Sequence, residues 1–200
     1  MDRIFFFFIC ACWINALIAR ESAVSRRDTL LLRLAMTATL AADFSMLVLY
    51  NNALGLVFFL LTQFLHNYRY AGRKALIAQI AACCAVGLAG AAAVCSGLLR
   101  ADAETVLAAA YLAAFLFSLA GVFRLFCAKK RNLYPKINRR LIALGMSLFF
   151  LCDINVGLYN LTAGMTGNRA FQVMIWAFYL PAQAMISGSG RKYGKDHKDL

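Results

Sequence analysis

Two carboxylates, Asp43 in "TATLAADFSMLVLY" and Asp153 in "FFLCDINVGLYN", stand inside stretches apolar enough to cross a bilayer. Placing a charge in hydrocarbon is costly, so an ionisable residue there has either a structural partner or a reaction to serve. Other polar groups accompany them: Gln63 and His66 in "GLVFFLLTQFLHNY", Asn160 shortly after Asp153, and Tyr179 with Gln183 in "WAFYLPAQAMIS". This is an inventory for general acid–base work. A carboxyl group in such a place can exchange a proton, or it can serve as a protonated, hydrogen-bonded packing residue. A metal centre is not expected, because no His/Asp/Glu cluster has ligand spacing. The seven cysteines contain no CxxC pair and read as small packing residues. No cofactor is implied.

The elements that carry these residues are membrane spans. The chain has 200 residues, is 62% hydrophobic and only 15% charged, and its apolar runs far exceed the length of a buried strand. That predicts an all-α polytopic bundle of about seven spans, near 4–19, 30–50, 53–68, 75–98, 104–126, 141–161 and 170–188. The second and third are joined only by "YNNALG", a tight antiparallel hairpin. Residues 1–189 form one transmembrane domain and 190–200 a basic tail. The start resembles a signal peptide, but its removal would invert every later loop, so it is kept as the first span.

Basic residues set the orientation, since Lys and Arg beside spans stay cytoplasmic. With alternate loops assigned to alternate sides, eighteen Lys and Arg fall on one side, Arg33 and Arg69 among them, and only Arg3, Arg100 and Arg169 on the other. The amino terminus is therefore expected outside and the carboxyl terminus in the cytoplasm, in a plasma-membrane protein. The net charge of +12 is explained by topology, which leaves no need for a nucleic-acid partner. The loop "CAKKRNLYPKINRR" can meet anionic lipid headgroups.

Depth and facing bring the polar residues together. At about 1.5 Å per residue, Asp43 lies roughly 20 Å and Asp153 roughly 18 Å from the cytoplasmic ends of parallel spans. Gln63 and Tyr179 lie about 15 Å, and Gln183 about 20 Å, from the outer ends of theirs. Gln172, Trp176, Tyr179, Gln183 and Ser187 form one helical stripe. Phe59, Gln63 and His66 form a second, and Gly145, Phe149, Asp153 and Asn160 a third. Pro181 interrupts the hydrogen-bond ladder beside the first stripe.

Three segments, "AADFSMLVLYNNALGLVFFLLTQFL", "GMSLFFLCDINVGLYN" and "FYLPAQAMI", resemble the signature regions of the YhhN-like lysoplasmalogenase family of membrane hydrolases. The resemblance runs from about residue 28 to 188. It matches Asp43 and Asp153 to the family's two acids, Gly55 and Phe59 to its third-helix pattern, and Tyr179 and Gln183 to its last-helix pair. This chain has Gln63 where the family tends to have His, Cys152 in place of Ser and Ala42 in place of Gly, and seven spans are counted rather than eight. What the resemblance implies is hydrolysis of the vinyl ether bond of lysoplasmalogens, with Asp43 and Asp153 catalytic and Gln63, His66, Asn160, Tyr179 and Gln183 positioning the lipid or water. A small proton-coupled transporter would also place acids at mid-depth, and a non-catalytic interaction protein would use them as interhelical glue. Both alternatives stay open at the level of sequence.

Overall fold

The computed structural model describes residues 2–19, 25–127, 134–162, 164, 168–191 and 193. Six helices follow one another: α1 (Asp2–Ile18), α2 (Arg26–Leu47), α3 (Asn52–Cys95), α4 (Ala103–Cys127), α5 (Lys136–Leu161) and α6 (Asn168–Gly188). The described residues form no strand. Five of the helices, α2 to α6, are long and apolar enough to cross a membrane, and α1 is a shorter apolar helix. The all-helical expectation and the membrane character hold at this level.

Local chemistry fixes several boundaries. Ser25 caps α2, its hydroxyl accepting from the Asp28 amide at 3.2 Å, a donor the helix itself cannot satisfy. Tyr50, at φ +53°, turns the chain out of α2, and Asn51 caps α3 through the Leu54 amide at 2.9 Å. The anticipated hairpin is present there. Gly55 makes it tight, because a Cβ at that position would lie 2.4 Å from the Met46 side chain.

The largest departure from the sequence reading concerns the third and fourth spans. They are one element, α3, of 44 residues, broken at Gly72. Its φ of +79° and ψ of −172° belong to a region that only glycine occupies readily. "NYRYAGRKAL" contains no proline and no cluster of turn residues, so helix runs up to this glycine from both sides. The chain then folds back. Gln79 reaches the Gln63 carbonyl at 3.4 Å, although sixteen residues of straight helix would separate them by about 24 Å. A buried network holds the two arms. The Gln79 amide nitrogen donates to the Ala114 carbonyl at 2.7 Å and to Ser118 at 3.0 Å, Asn67 donates to Gln79 at 3.0 Å, and Ser118 donates to the Gln63 carbonyl at 3.0 Å.

Each helix packs on the next, and α6 returns to α1, so the elements form a closed ring. Trp13 of α1 donates to Thr37 of α2 at 2.9 Å, and Asn15 donates to Ser187 of α6 at 3.2 Å. Arg33 of α2 donates to the Ala16 and Ala19 carbonyls at the end of α1. Helices α5 and α6 approach closely at Gly145, where a Cβ would meet Ile186 at 2.8 Å and the Ala182 carbonyl at 3.2 Å. The core, with Phe115, Phe149, Leu32, Met36, Ile142 and Ile186 fully buried, fills the ring.

Candidate functional site

The two mid-helix acids both find phenols. Asp43 of α2 is only 5% exposed, and its Oδ2 accepts from the Tyr179 hydroxyl of α6 at 2.6 Å. Asp153 of α5, partly buried, accepts from the Tyr111 hydroxyl of α4 at 2.5 Å. Four helices thus supply two Asp–Tyr pairs, joined through Phe59 and Phe149, whose rings meet Tyr111 and Tyr179. An aromatic wall fixes the phenols. Phe149 packs against Phe59, Phe115 and Tyr179 with ring centroids 5.8, 5.1 and 5.6 Å away, and Tyr111 packs against Phe59 and Phe115. Trp176 stacks on Phe5 of α1 and meets Tyr179 edge-on.

Buried amides border this wall. Gln63 is 0% exposed, and among the described residues neither end of its side-chain amide meets a hydrogen-bond partner within 3.5 Å. The Gln183 amide nitrogen, one turn beyond Tyr179, is likewise buried and has no partner among the described residues. Polar groups buried in this way lose water without recovering a hydrogen bond, which is uncommon unless a ligand or a water supplies one. The arrangement offers two carboxyl groups, two phenols and two buried amides inside an apolar ring.

The remaining expected residues divide. Phe59, Gln63 and His66 share a buried face of α3. His66 turns away from the acids, however: its Nδ1 pairs with the Tyr70 hydroxyl at 3.2 Å and the two rings stack. Asn160 is exposed near the end of α5 and does not join the acids. The α6 stripe grades along its length, with Gln172 exposed, Trp176 partly buried, and Tyr179, Gln183 and Ser187 buried. The Lys129–Arg131 group and the tail from 194 lie outside the described residues.

A second polar cluster escaped the sequence reading. Arg69, counted there as a loop cation, is buried, and its guanidinium grips Asp28 with two bonds, Nε to Oδ1 at 2.8 Å and Nη2 to Oδ2 at 3.0 Å. Its Nη1 donates to Ser189 at 3.0 Å. The Tyr134 hydroxyl donates to Asp28, and Asn138 donates to the Ser189 and Arg191 carbonyls at 2.8 and 2.7 Å. Burial pushes the Tyr134 phenol above its ordinary pKa, opposed by Arg69 and reinforced by Asp28, so it remains a donor. Together these bonds clamp α2, α3, the start of α5 and the end of α6. Nothing in the sequence around Asp28 names Arg69 as its partner. Tyr111 was missed as well, being a single phenol in an otherwise apolar span. Comparison of the chain with known families, with characterised proteins and with solved structures gave no match.

Proposed function

We propose that this protein is a membrane-embedded hydrolase of the lysoplasmalogenase type, cleaving the vinyl ether bond of lysoplasmalogens by carboxyl acid–base catalysis. The observation that carries the reading is the pair of acids, Asp43 and Asp153, brought from α2 and α5 to one interior and each held by a tyrosine rather than by a cation. The resemblance of the surrounding segments to the YhhN-like family points the same way.

The chemistry requires little else. One carboxyl group protonates the outer vinyl carbon, which breaks the π bond and leaves an oxocarbenium ion. The other, as carboxylate, stabilises that cation and takes a proton from the water that adds to it. The hemiacetal then breaks its carbon–oxygen bond, giving a fatty aldehyde and the free glycerol hydroxyl. After hydration the proton sits on the second carboxyl; as the hemiacetal breaks, that carboxyl protonates the leaving glycerol oxygen while the first takes the hemiacetal hydroxyl proton, which restores both groups. Tyr111 and Tyr179 orient the carboxyls, while Gln63 and Gln183 supply the amides that meet water or the glycerol part. No cofactor enters this scheme.

The topology we propose has seven crossings: α1, α2, the two arms of α3 on either side of Gly72, α4, α5 and α6. The amino terminus is outside and the basic carboxyl tail is in the cytoplasm, in the plasma membrane. A straight α3 would measure about 66 Å, twice a hydrocarbon core of about 30 Å, whereas each arm alone fits it. A reporter fused after Leu200 should behave as cytoplasmic; the opposite result would require a different count of crossings.

Activity is tested by incubating the detergent-solubilised protein with a lysoplasmalogen and, separately, with an ester-linked lysophospholipid. Aldehyde released from the first alone is the expected result. No aldehyde, together with proton or solute flux in proteoliposomes that responds to Asp43→Asn, would replace the hydrolase by the transporter.

A further inference from the structure

The clamp and the carboxyl tail mark one end of the ring, and there the interior is packed to the last turn. Leu32 of α2, Ile142 of α5 and Ile186 of α6 are 0% exposed, as is Ser189 just beyond α6. A Cβ on Gly190 would lie 2.5 Å from the Leu32 side chain, and Asn138 ties the Ser189 and Arg191 carbonyls to α5. The helix ends are themselves sealed. Asp28 and Asn138, each the third residue of its helix, are 5% and 0% exposed.

The same inward faces lose their cover at the other end. On α5, Phe149 and Cys152 are buried, whereas Val156, one turn further along that face, is 38% exposed, and Asn160 is exposed as well. Two turns take α6 from buried Tyr179 to exposed Gln172, α4 from buried Tyr111 to exposed Glu104, and α3 from buried Phe59 to exposed Asn52. Four helices thus open on one side of the acids and stay closed on the other. Deeper than Tyr179, the Gln183 amide nitrogen is buried with no partner among the described residues, a donor left for what enters.

We infer that the two acids are served from this end alone, and that the lipid they act on is taken from the leaflet on that side, the outer one in the topology proposed above. What enters rests on the hydrolase reading; where it enters rests on the packing. Lengths decide between the leaflets. Asp43 lies four residues and Asp153 eight from the open ends of their helices, about 6 and 12 Å, while seventeen residues, about 25 Å, separate each from the clamp end. In a lysoplasmalogen seven bonds run from phosphorus to the outer vinyl carbon, about 9 Å when extended. A lipid whose phosphate stays at the open-end surface therefore brings that carbon to the acids. From the opposite leaflet it would fall short by about 16 Å, with a packed interior in the way.

The test reads access and reaction separately. The full chain, tagged after Leu200 to mark the tail side, is placed in sealed vesicles, and a charged, membrane-impermeant thiol reagent is applied to one side at a time. Labelled positions are assigned by mass spectrometry of peptides, so the native cysteines can stay. Val156→Cys should be labelled from the side opposite the tail at least about tenfold faster than from the tail side. Ser189→Cys and Thr29→Cys, two small changes at the clamp end, should resist the reagent from both sides. Lysoplasmalogen supplied opposite the tail should release aldehyde at least about tenfold faster than the same lipid supplied on the tail side. The inference fails if Val156→Cys is labelled from the tail side or from neither, if the clamp-end thiols are labelled as fast as Val156→Cys, or if aldehyde forms equally from both sides. The expected labelling with no aldehyde from either side would leave the one-ended opening standing and overturn the hydrolase together with the lipid it takes.

Discussion

Two regions of this molecule pair aspartate with tyrosine, and they differ in a single component. At the clamp, Asp28 accepts from Tyr134 and is also gripped by the Arg69 guanidinium. In the interior, Asp43 and Asp153 accept from Tyr179 and Tyr111, and among the bonds described neither has a cation. A permanent counter-ion locks a carboxylate in one state, with both oxygens spoken for. A phenol orients a carboxyl group but leaves it free to exchange a proton. The clamp is thus built to hold helices together and the interior pair to take part in chemistry, although both use the same two residue types.

This contrast is sharpest under Asp→Asn exchange. Asp43→Asn and Asp153→Asn should each leave a folded, inserted protein while lowering aldehyde release by about 10²- to 10⁴-fold, because an amide keeps the volume but cannot deliver a proton to carbon. Rates measured on protein of unchanged thermal midpoint check this. Variants that fail to insert would make the interior acids structural, like Asp28. The clamp should respond in the opposite sense. Arg69→Ala strands a buried carboxylate and should cost about 3–5 kcal/mol of stability, while Asp28→Leu combined with Arg69→Met should recover much of that loss. Thermal unfolding of the single and double variants decides it, and additive losses would mean that the pair is not coupled.

Smaller changes refine the comparison. Tyr179→Phe and Tyr111→Phe each remove one hydrogen bond to a carboxyl group, worth about 1.5–3 kcal/mol if that group is charged. They should slow the reaction by less than the Asn variants do. Tyr179→Phe added to Asp43→Asn should cost little more than Asp43→Asn alone, since the two share one interaction. Gly72→Ala places a Cβ in a glycine-only conformation and should cost about 1–3 kcal/mol with no direct effect on the acids. Asp102→Ala should have the smallest effect, fraying only the exposed start of α4. The Thr105 hydroxyl and amide hold the Asp102 carboxyl below the usual aspartate range. Its contribution is therefore present above that range and fades on acidification through the lowered pKa, so the variant and the parent should converge in thermal midpoint as pH falls.

What the sequence made legible follows from what a period can encode. Apolar run lengths gave the helices, and the spacing of Phe59, Gln63 and His66, or of Tyr179, Gln183 and Ser187, gave the faces that the structure buries. Asp43 and Asp153 stood out because no other carboxylate lies within the apolar stretches of their helices. Pairings between helices left no such trace. Tyr111 is one hydroxyl among alanines and leucines until α4 is set beside α5. Arg69 looked like any other basic residue at a span end, because burial of its head depends on Asp28, forty-one residues earlier. His66 shares a face with Gln63, yet the neighbouring Tyr70 captures its ring. The break at Gly72 was read only as a gap between spans, since one glycine does not announce a reversal.

That reversal bears on how the chain is made. Beyond Arg73 and Lys74 the arm after Gly72 carries no charged residue from Ala75 to Leu99, and the one strongly polar side chain in that stretch is Gln79. During synthesis this amide would enter the lipid before α4 exists to receive it. Folding back at Gly72 sets it against the Gln63 carbonyl and Asn67, which the ribosome has already delivered. The two arms can therefore form a self-satisfied pair, with α4 later adding Ser118 and the Ala114 carbonyl to a partnership that is already formed.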